Sequence, residues 1–151
     1  MEQKPIKILA VCLGNICRSP ICHGLLEHYV KQFERDVIID SAGTIGMHAG
    51  SPPDHRSIEV MNDHGHDISH QRSRKFHHDD FEEFDVILAM DSSNYRDLCS
   101  LAVNEKEESK VYMAIEGENV PDPYYGGDDG FENVYQMLDE AVQNWLNKLV
   151  V

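Results

Sequence analysis

Val11-Cys12-Leu13-Gly14-Asn15-Ile16-Cys17-Arg18-Ser19-Pro20 is the stretch on which the reading of this chain turns. Residues 6–11 before it form a short, nearly continuous apolar run, the pattern of a strand covered on both faces. After it, Ile21, Leu25, Leu26, Tyr29, Val30 and Phe33 recur at helical spacing. Ser19 and Pro20 predict a serine N-cap followed by proline at the first helical position. The stretch is therefore a strand-loop-helix junction that holds a cysteine, five residues and an arginine. A loop at a helix N-terminus turns backbone N–H groups inward and adds the positive end of the helix dipole. Successive amides of this kind make an anion-binding concavity. Gly14 and Asn15 are residue types that tolerate the positive φ a tight loop demands. Arg18 offers a planar fork matched to two phosphate oxygens. Leu13, Gly14, Asn15, Ile16, Cys17, Arg18 and Ser19 are thus the expected phosphate-binding loop.

Three more apolar runs, residues 37–39, 86–90 and 111–114, read as buried strands. Helical patterns lie between and after them. One holds Ile58, Val60 and Met61, another runs from Tyr95 to Leu101, and the clearest runs from Phe131 to Leu149. Strands alternating with helices predict βαβ units, a parallel sheet and right-handed crossovers, an α/β fold. Two loop-rich regions, 43–54 and 116–130, follow predicted strands, as the Cys12 loop does. In such sheets, ligands bind outside the carboxyl ends of the strands, so all three loops can gather at one end.

A length of 151 residues suits a single domain, 1–151, with a full core. The apolar share of 41% and charged share of 26% are ordinary for a soluble globular chain. No apolar run approaches a membrane span, and residues 1–7 lack the apolar block of a signal peptide. The expected location is cytoplasmic. The net charge of −14, from 13 basic and 27 acidic residues, argues against nucleic acid and against an anionic membrane as partners. An anion site must then create its own positive field. The cysteines Cys12, Cys17, Cys22 and Cys99 lack the spread of a disulfide scaffold, and a reducing compartment fits. No second pair completes a tetrahedral zinc set, and the nine histidines are scattered, so no metal is expected.

Cys12 falls at the floor of the predicted loop, where amides, dipole and Arg18 all favour the reactive thiolate. A thiolate facing a bound phosphate can attack phosphorus and form a phosphocysteine. The Ser19 hydroxyl is placed to bond either that thiolate or the helix end. Expulsion of an alkoxide or phenoxide calls for a proton donor. Asp122, in Val120-Pro121-Asp122-Pro123-Tyr124-Tyr125, is the candidate, stiffened by proline on both sides. Taken alone, Asp-Pro reads as a turn opener; only the company of Cys12 gives Asp122 a chemical reading.

The chain resembles the low-molecular-weight protein tyrosine phosphatases. The matching pieces are residues 11–20, Ser41-Ala42-Gly43-Thr44, Pro53-Asp54 with Arg56, Met90-Asp91-Ser92-Ser93-Asn94 and Asp122-Pro123-Tyr124-Tyr125, in the family's order and across essentially the whole chain. The resemblance implies a four-stranded parallel sheet flanked by helices, a three-layer α/β/α domain with no metal or organic cofactor. It implies Cys12 as nucleophile, Arg18 as transition-state clamp and Asp122 as general acid and then base. Asn15 would hold the loop's unusual conformation, with Ser41 bonding to it, and Asp91 looks structural. Tyr124 and Tyr125 would flank a phenyl ring, with Met47 lining the pocket where the family often has an aromatic residue. His23 stands where the family more usually has glutamate. Cys17 would form a reversible disulfide with Cys12, a pairing that fits the trapping of a sulfenic acid by a nearby thiol. The expected partner is a phosphotyrosine protein, and the expected state a monomer.

Three rival functions compete with this one. Arsenate reduction on this scaffold needs a cysteine relay beyond the third strand, where only Cys99 stands. Phosphoarginine phosphatases resemble this loop but tend to carry threonine where this chain has Ile16, and to lack the paired tyrosines. A non-catalytic phosphate-binding module would have lost the thiol, the arginine or the acid, and all three are present.

Overall fold

The computed structural model describes residues 4–127 and 129–150. In chain order the elements are β1 (Ile6–Cys12), α1 (Arg18–Val30), β2 (Val37–Gly43), α2 (His55–Asp63), α3 (Asp80–Glu83), β3 (Val86–Ala89), α4 (Ser92–Leu101), α5 (Glu105–Glu108), β4 (Val111–Met113) and α6 (Asp129–Val150). The four strands make one sheet in the order β2-β1-β3-β4, and every pairing is parallel. β1 is central, which explains its uninterrupted apolar run: each face is covered and each edge is paired. The chain steps from β1 to β2 on one side and returns to β3 on the other. The carboxyl ends of β1 and β3 therefore flank the point where strand order reverses, the favoured ligand position in an open parallel sheet.

Alternation along β1 divides the core. Ile8, Ala10 and Cys12 face a layer that includes Ile21, Leu25 and Leu26 of α1, Met61 of α2 and Leu138 and Val142 of α6. Leu9 and Val11 face the opposite layer, with Phe81 of α3, Leu98 of α4 and Phe76 and Phe84 beside α3. This is the expected three-layer α/β/α arrangement. At Gly24, inside α1, an added Cβ would lie 2.5 Å from Ile68 Cγ2 and 2.8 Å from the Met61 methyl. That close approach explains a glycine in a helix interior, where it costs about 1 kcal/mol relative to alanine.

Two details differ from the sequence reading. β2 runs seven residues, through Asp40 and Ser41, because its register with β1 continues from Ile6↔Val37 to Cys12↔Gly43. Its polar residues have partners off the sheet: Asp40 pairs with Arg74 at 3.1 Å and Ser41 bonds His23. α1 begins at Arg18, so Ser19 lies inside the first turn and is no N-cap; Cys17 holds the cap position without a side-chain bond. Pro20 is tolerated there because first-turn N–H groups have no intrahelical acceptor. Among the described residues, no helix is long and apolar enough to cross a membrane.

Candidate active site

The loop between β1 and α1 is braced from outside by its carbonyls. The carbonyl of Cys12 accepts from Thr44 N at 3.0 Å, that of Leu13 from Ile45 N at 3.0 Å and that of Ile16 from Asp54 N at 2.8 Å. Ser73 Oγ donates to the Gly14 carbonyl at 2.9 Å, and Ser57 Oγ to that of Cys17 at 3.2 Å. Five carbonyls thus point outward into the surrounding structure. Among the described residues, the N–H groups of residues 13–17 donate to no protein acceptor. Carbonyls committed to the surroundings and amides without a protein acceptor are the composition of a concavity that favours an anion. Gly43, at the end of β2, allows the approach: a Cβ there would fall 2.8 Å from the Leu13 oxygen.

Asn15 holds the tightest point. Its φ of 59° is the one positive non-glycine φ among the described residues. Its Nδ2 donates to Ser19 Oγ at 2.8 Å, and its Oδ1 accepts from Arg74 N at 3.0 Å. Ser19 Oγ in turn lies 3.1 Å from Cys12 Sγ. Since Ser19 Oγ already accepts from Asn15, its own proton is free to be directed at the sulfur, which suits a thiolate acceptor.

Arg18 is 3% exposed. Its Nη1 donates to Asp91 Oδ2 at 2.6 Å and to the Val120 carbonyl at 3.0 Å. Both Nη1 protons are thereby used, leaving the Nε and Nη2 donors of the fork for an oxyanion. Asp91 is itself fixed as the N-cap of α4, accepting from Asn94 N at 2.7 Å. It therefore sets the plane of the guanidinium. Asp122 Oδ2 stands 3.7 Å from Arg18 Nη2, brought there by the loop after β4.

These groups open on a cleft of about 230 Å³. Cys12, Leu13, Gly14, Ile16, Cys17 and Arg18 form its floor, Ile45, Met47 and His48 one wall, and Asp122, Tyr124 and Tyr125 the other. The two tyrosine rings meet edge to face, with centroids 4.8 Å apart. A larger hollow of about 690 Å³ runs between β4 and the C-terminal half of α6. It touches neither the Cys12 loop nor Arg18, which line the smaller cleft. The Cys17 thiol is pushed up to about 12, first by burial and then by the charges of Asp54, Cys12 and Asp122. Cys22 is also pushed up to about 12, by burial and then by Cys12.

The structure brings together Cys12, Arg18, Asp122, Met47, Tyr124, Tyr125 and Asp91. It corrects Ser41. The Ser41 hydroxyl lies 3.0 Å from His23 Nδ1, while Asn15 is satisfied by Ser19 and Arg74. His23 explains the change: it is buried on α1 and sits between Ser41 and Glu27, whose Oε1 is 3.4 Å from its Nε2. Residues that sequence reasoning did not bring to the site include Ile45, His48, Ser57 and Ser73. Their link to the loop is long-range, and no local pattern marks it. Cys99 packs with the opposite layer of the core from Cys12, Cys17 and Cys22.

The family described as low molecular weight phosphotyrosine protein phosphatase matches residues 7–150. The chain is 39% identical to the low molecular weight phosphotyrosine protein phosphatase of Homo sapiens, over 97% of this chain and 98% of that protein. It is 38% identical to the protein of that name from Schizosaccharomyces pombe, again over 97% of this chain and 98% of the relative. A crystal structure of a protein tyrosine phosphatase from Entamoeba histolytica superposes with a TM-score of 0.90 at 37% identity, covering 95% of this chain and 96% of that one. Vibrio vulnificus Wzb in complex with benzylphosphonate superposes with a TM-score of 0.86 at 29% identity, covering 97% and 100%.

Proposed function

We propose, since this chain belongs to the low molecular weight phosphotyrosine protein phosphatase family and is a cysteine-dependent protein-tyrosine phosphatase, that Cys12, Arg18 and Asp122 carry its reaction. The substrate phosphoryl group enters the loop of residues 13–19. The Cys12 thiolate attacks phosphorus in line, forming the P–S bond as the bond to the phenolic oxygen breaks. Asp122 gives its proton to that oxygen. Arg18 and the loop amides hold the equatorial oxygens, where charge sits in the transition state. Asp122, now a carboxylate, takes a proton from water. The water attacks phosphorus, the P–S bond breaks, and phosphate leaves with the thiolate restored. Ser19 stabilises that thiolate and Asn15 shapes the loop, while Ser41, through His23, and Asp91, through Arg18, give structural support. Met47, Tyr124 and Tyr125 grip the aromatic ring.

The observation that carries this reading is the set of carbonyls bonded to the surrounding structure, which leaves the five N–H groups of residues 13–17 without a protein acceptor, next to the free edge of Arg18. A phosphotyrosine protein is the substrate, and the benzylphosphonate held by the Vibrio relative is an aromatic ligand of the same kind. Cys17 serves as resolving thiol: a peroxide oxidises the Cys12 thiolate to a sulfenic acid, and Cys17 displaces water from it to form the disulfide. Its high value falls in part once the negative charge on Cys12 is gone. A reducing compartment such as the cytoplasm keeps the nucleophile in its working state. The arsenate reading is not favoured, because Cys99 lies across the sheet from the other thiols. The phosphoarginine reading is not favoured either, because Ile16 puts an apolar side chain in the cleft.

The test pairs p-nitrophenyl phosphate with a phosphotyrosine peptide, wild type with Cys12→Ser, in reductant and without added metal. Wild-type turnover of both substrates, inhibition by vanadate and loss of turnover in the variant are expected. A Cys12→Ser protein that turns over at the wild-type rate removes Cys12 as nucleophile.

A further inference from the structure

Residues 121–127 form an exposed loop apart from Pro123, yet Asp122 must stand at a fixed distance from the Cys12 loop to deliver a proton. Among the described residues, besides the local bond from Gly130 N to the Gly127 carbonyl at 3.1 Å, one hydrogen bond joins this segment to the rest of the protein: Arg56 Nη1 to the Tyr124 carbonyl, 3.1 Å. The 3.7 Å ion pair of Asp122 with Arg18 is its other polar link.

Arg56 is unusually well fixed for a residue at the surface. Its Nε and Nη2 donate to Asp54 Oδ1 and Oδ2, each at 3.0 Å, in the bidentate geometry that sets the guanidinium plane. Asp54 caps α2 and gives its backbone N–H to the Ile16 carbonyl of the phosphate loop. The guanidinium carbon lies 5.3 Å from the Tyr124 ring centroid and 4.7 Å from that of Phe131, within cation–π reach of both. Burial pushes Asp54 upward, but the hydrogen bonds and charge of Arg56 hold its carboxyl below the usual carboxylate range. The pair is therefore ionised at neutral pH. Tyr124 closes the chain of contacts, because its N–H donates to Asp122 Oδ1 at 3.0 Å. One residue thus receives Arg56 on its carbonyl and holds Asp122 on its amide.

We infer that Arg56 is a positioning residue: it straps the Asp122 loop to the phosphate loop, and it acts on catalysis through the placement of Asp122. This rests on Asp122 as the general acid. Arg56 touches neither the phosphoryl group nor the leaving oxygen. Its loss is felt only where proton donation matters.

The experiment compares kcat/KM for phenyl phosphate, a poor leaving group, with that for p-nitrophenyl phosphate, a good one. The proteins are wild type, Asp122→Ala, Arg56→Ala, Arg56→Lys and the Asp122→Ala/Arg56→Ala double variant. Vanadate inhibition is measured for each. General acid catalysis is worth about 10²–10⁴-fold, so misplacing the acid should cost phenyl phosphate roughly tenfold or more in Arg56→Ala, with p-nitrophenyl phosphate and vanadate within about twofold of wild type. Arg56→Lys keeps the charge but not the fork and should behave as Arg56→Ala. The second substitution should add nothing to Asp122→Ala. Equal losses on both substrates together with weakened vanadate binding would make Arg56 a support of the phosphate loop and overturn the proposal, as would unchanged kinetics or full additivity. If Arg56→Ala does not fold, Arg56→Lys carries the same comparison. A lack of leaving-group dependence in Asp122→Ala itself would instead remove the general-acid assignment, a failure distinct from that of Arg56.

Discussion

Asn15 offers a perturbation whose parts can be separated. Replacement by alanine does three things. It places an ordinary L-residue at a φ of 59°, in the left-handed region, at a cost of roughly 1–2 kcal/mol. It leaves the Arg74 N–H without its acceptor, which costs about 1–3 kcal/mol for a desolvated donor. It removes the donor to Ser19 Oγ, a bond worth about 1 kcal/mol. The total, about 3–6 kcal/mol, is a large share of the roughly 5–15 kcal/mol that holds a domain folded. Glycine at the same position relieves only the backbone part, so Asn15→Gly should be about 1 kcal/mol more stable than Asn15→Ala. Asn15→Asp keeps an acceptor for Arg74 and the tolerance for positive φ, but it loses the donor and puts a negative charge beside Ser19 and Cys12. It should be the most stable of the three and still a poor phosphatase. Urea unfolding at neutral pH gives the stabilities, and kcat/KM on p-nitrophenyl phosphate gives the activities. An alanine variant as stable as the glycine variant would refute the backbone argument. An aspartate variant as unstable as alanine would refute the role given to the Arg74 bond.

Gly24→Ala drives a methyl group into Ile68 and Met61 and should lower stability by about 1–3 kcal/mol in urea unfolding; a neutral result would mean that α1 shifts freely. At pH 7.5, thiols pushed up to about 12 are ionised to on the order of 1 part in 10⁴ or less, so iodoacetamide should label Cys12 well before Cys17 or Cys22 in peptide mass mapping. Equal labelling of Cys17 would contradict its environment. The same raised values mean that the stability linked to Cys17 and Cys22 is full below about pH 9 and is lost as pH rises toward 12. Cys22→Ala should therefore flatten the fall in urea midpoint above pH 9, and an unchanged slope would count against the burial of that thiol.

What was legible in the sequence was what is contiguous. The apolar run of β1, the glycine and asparagine of the loop and the periodicity of α1 are neighbours in the chain, and each constrains the next. Asp122 was legible only in company, because a proline-flanked aspartate carries the same local signal at any surface turn. Ser19 was misread as a cap because a serine just before helical periodicity has that local meaning; its hydroxyl is drawn instead to Cys12 and Asn15. The length of β2 was hidden by Asp40 and Ser41, whose partners Arg74 and His23 lie on other segments. The link from Arg56 to Tyr124 spans 68 positions and leaves no periodic trace at either end. α3 and α5, of four residues each, are too short to show a helical period.

Burial divides the labour among the four strand ends. The parts proposed to hold phosphate come from the ends of β1 and β3, the two inner strands, and Arg18 among them is enclosed: it is 3% exposed and its aim is set by Asp91 and the Val120 carbonyl. The parts proposed to meet the rest of a substrate come from the loops after β2 and β4, the two edge strands, and they are open, with Met47 77% and Tyr125 91% exposed. An enclosed group is held by many partners, so a small displacement there disturbs the whole loop. An exposed side chain can change shape or identity with little consequence for the fold. The topology therefore keeps the enclosed phosphate loop and the exposed pocket walls on separate strands, with Asp122 reaching toward Arg18 from the β4 side. It also explains how a chain of net charge −14 binds an anion. In the proposed site the attraction comes from amides and one oriented guanidinium at close range, while the carboxylates of the surface act through water and are screened within about a Debye length of 8–10 Å.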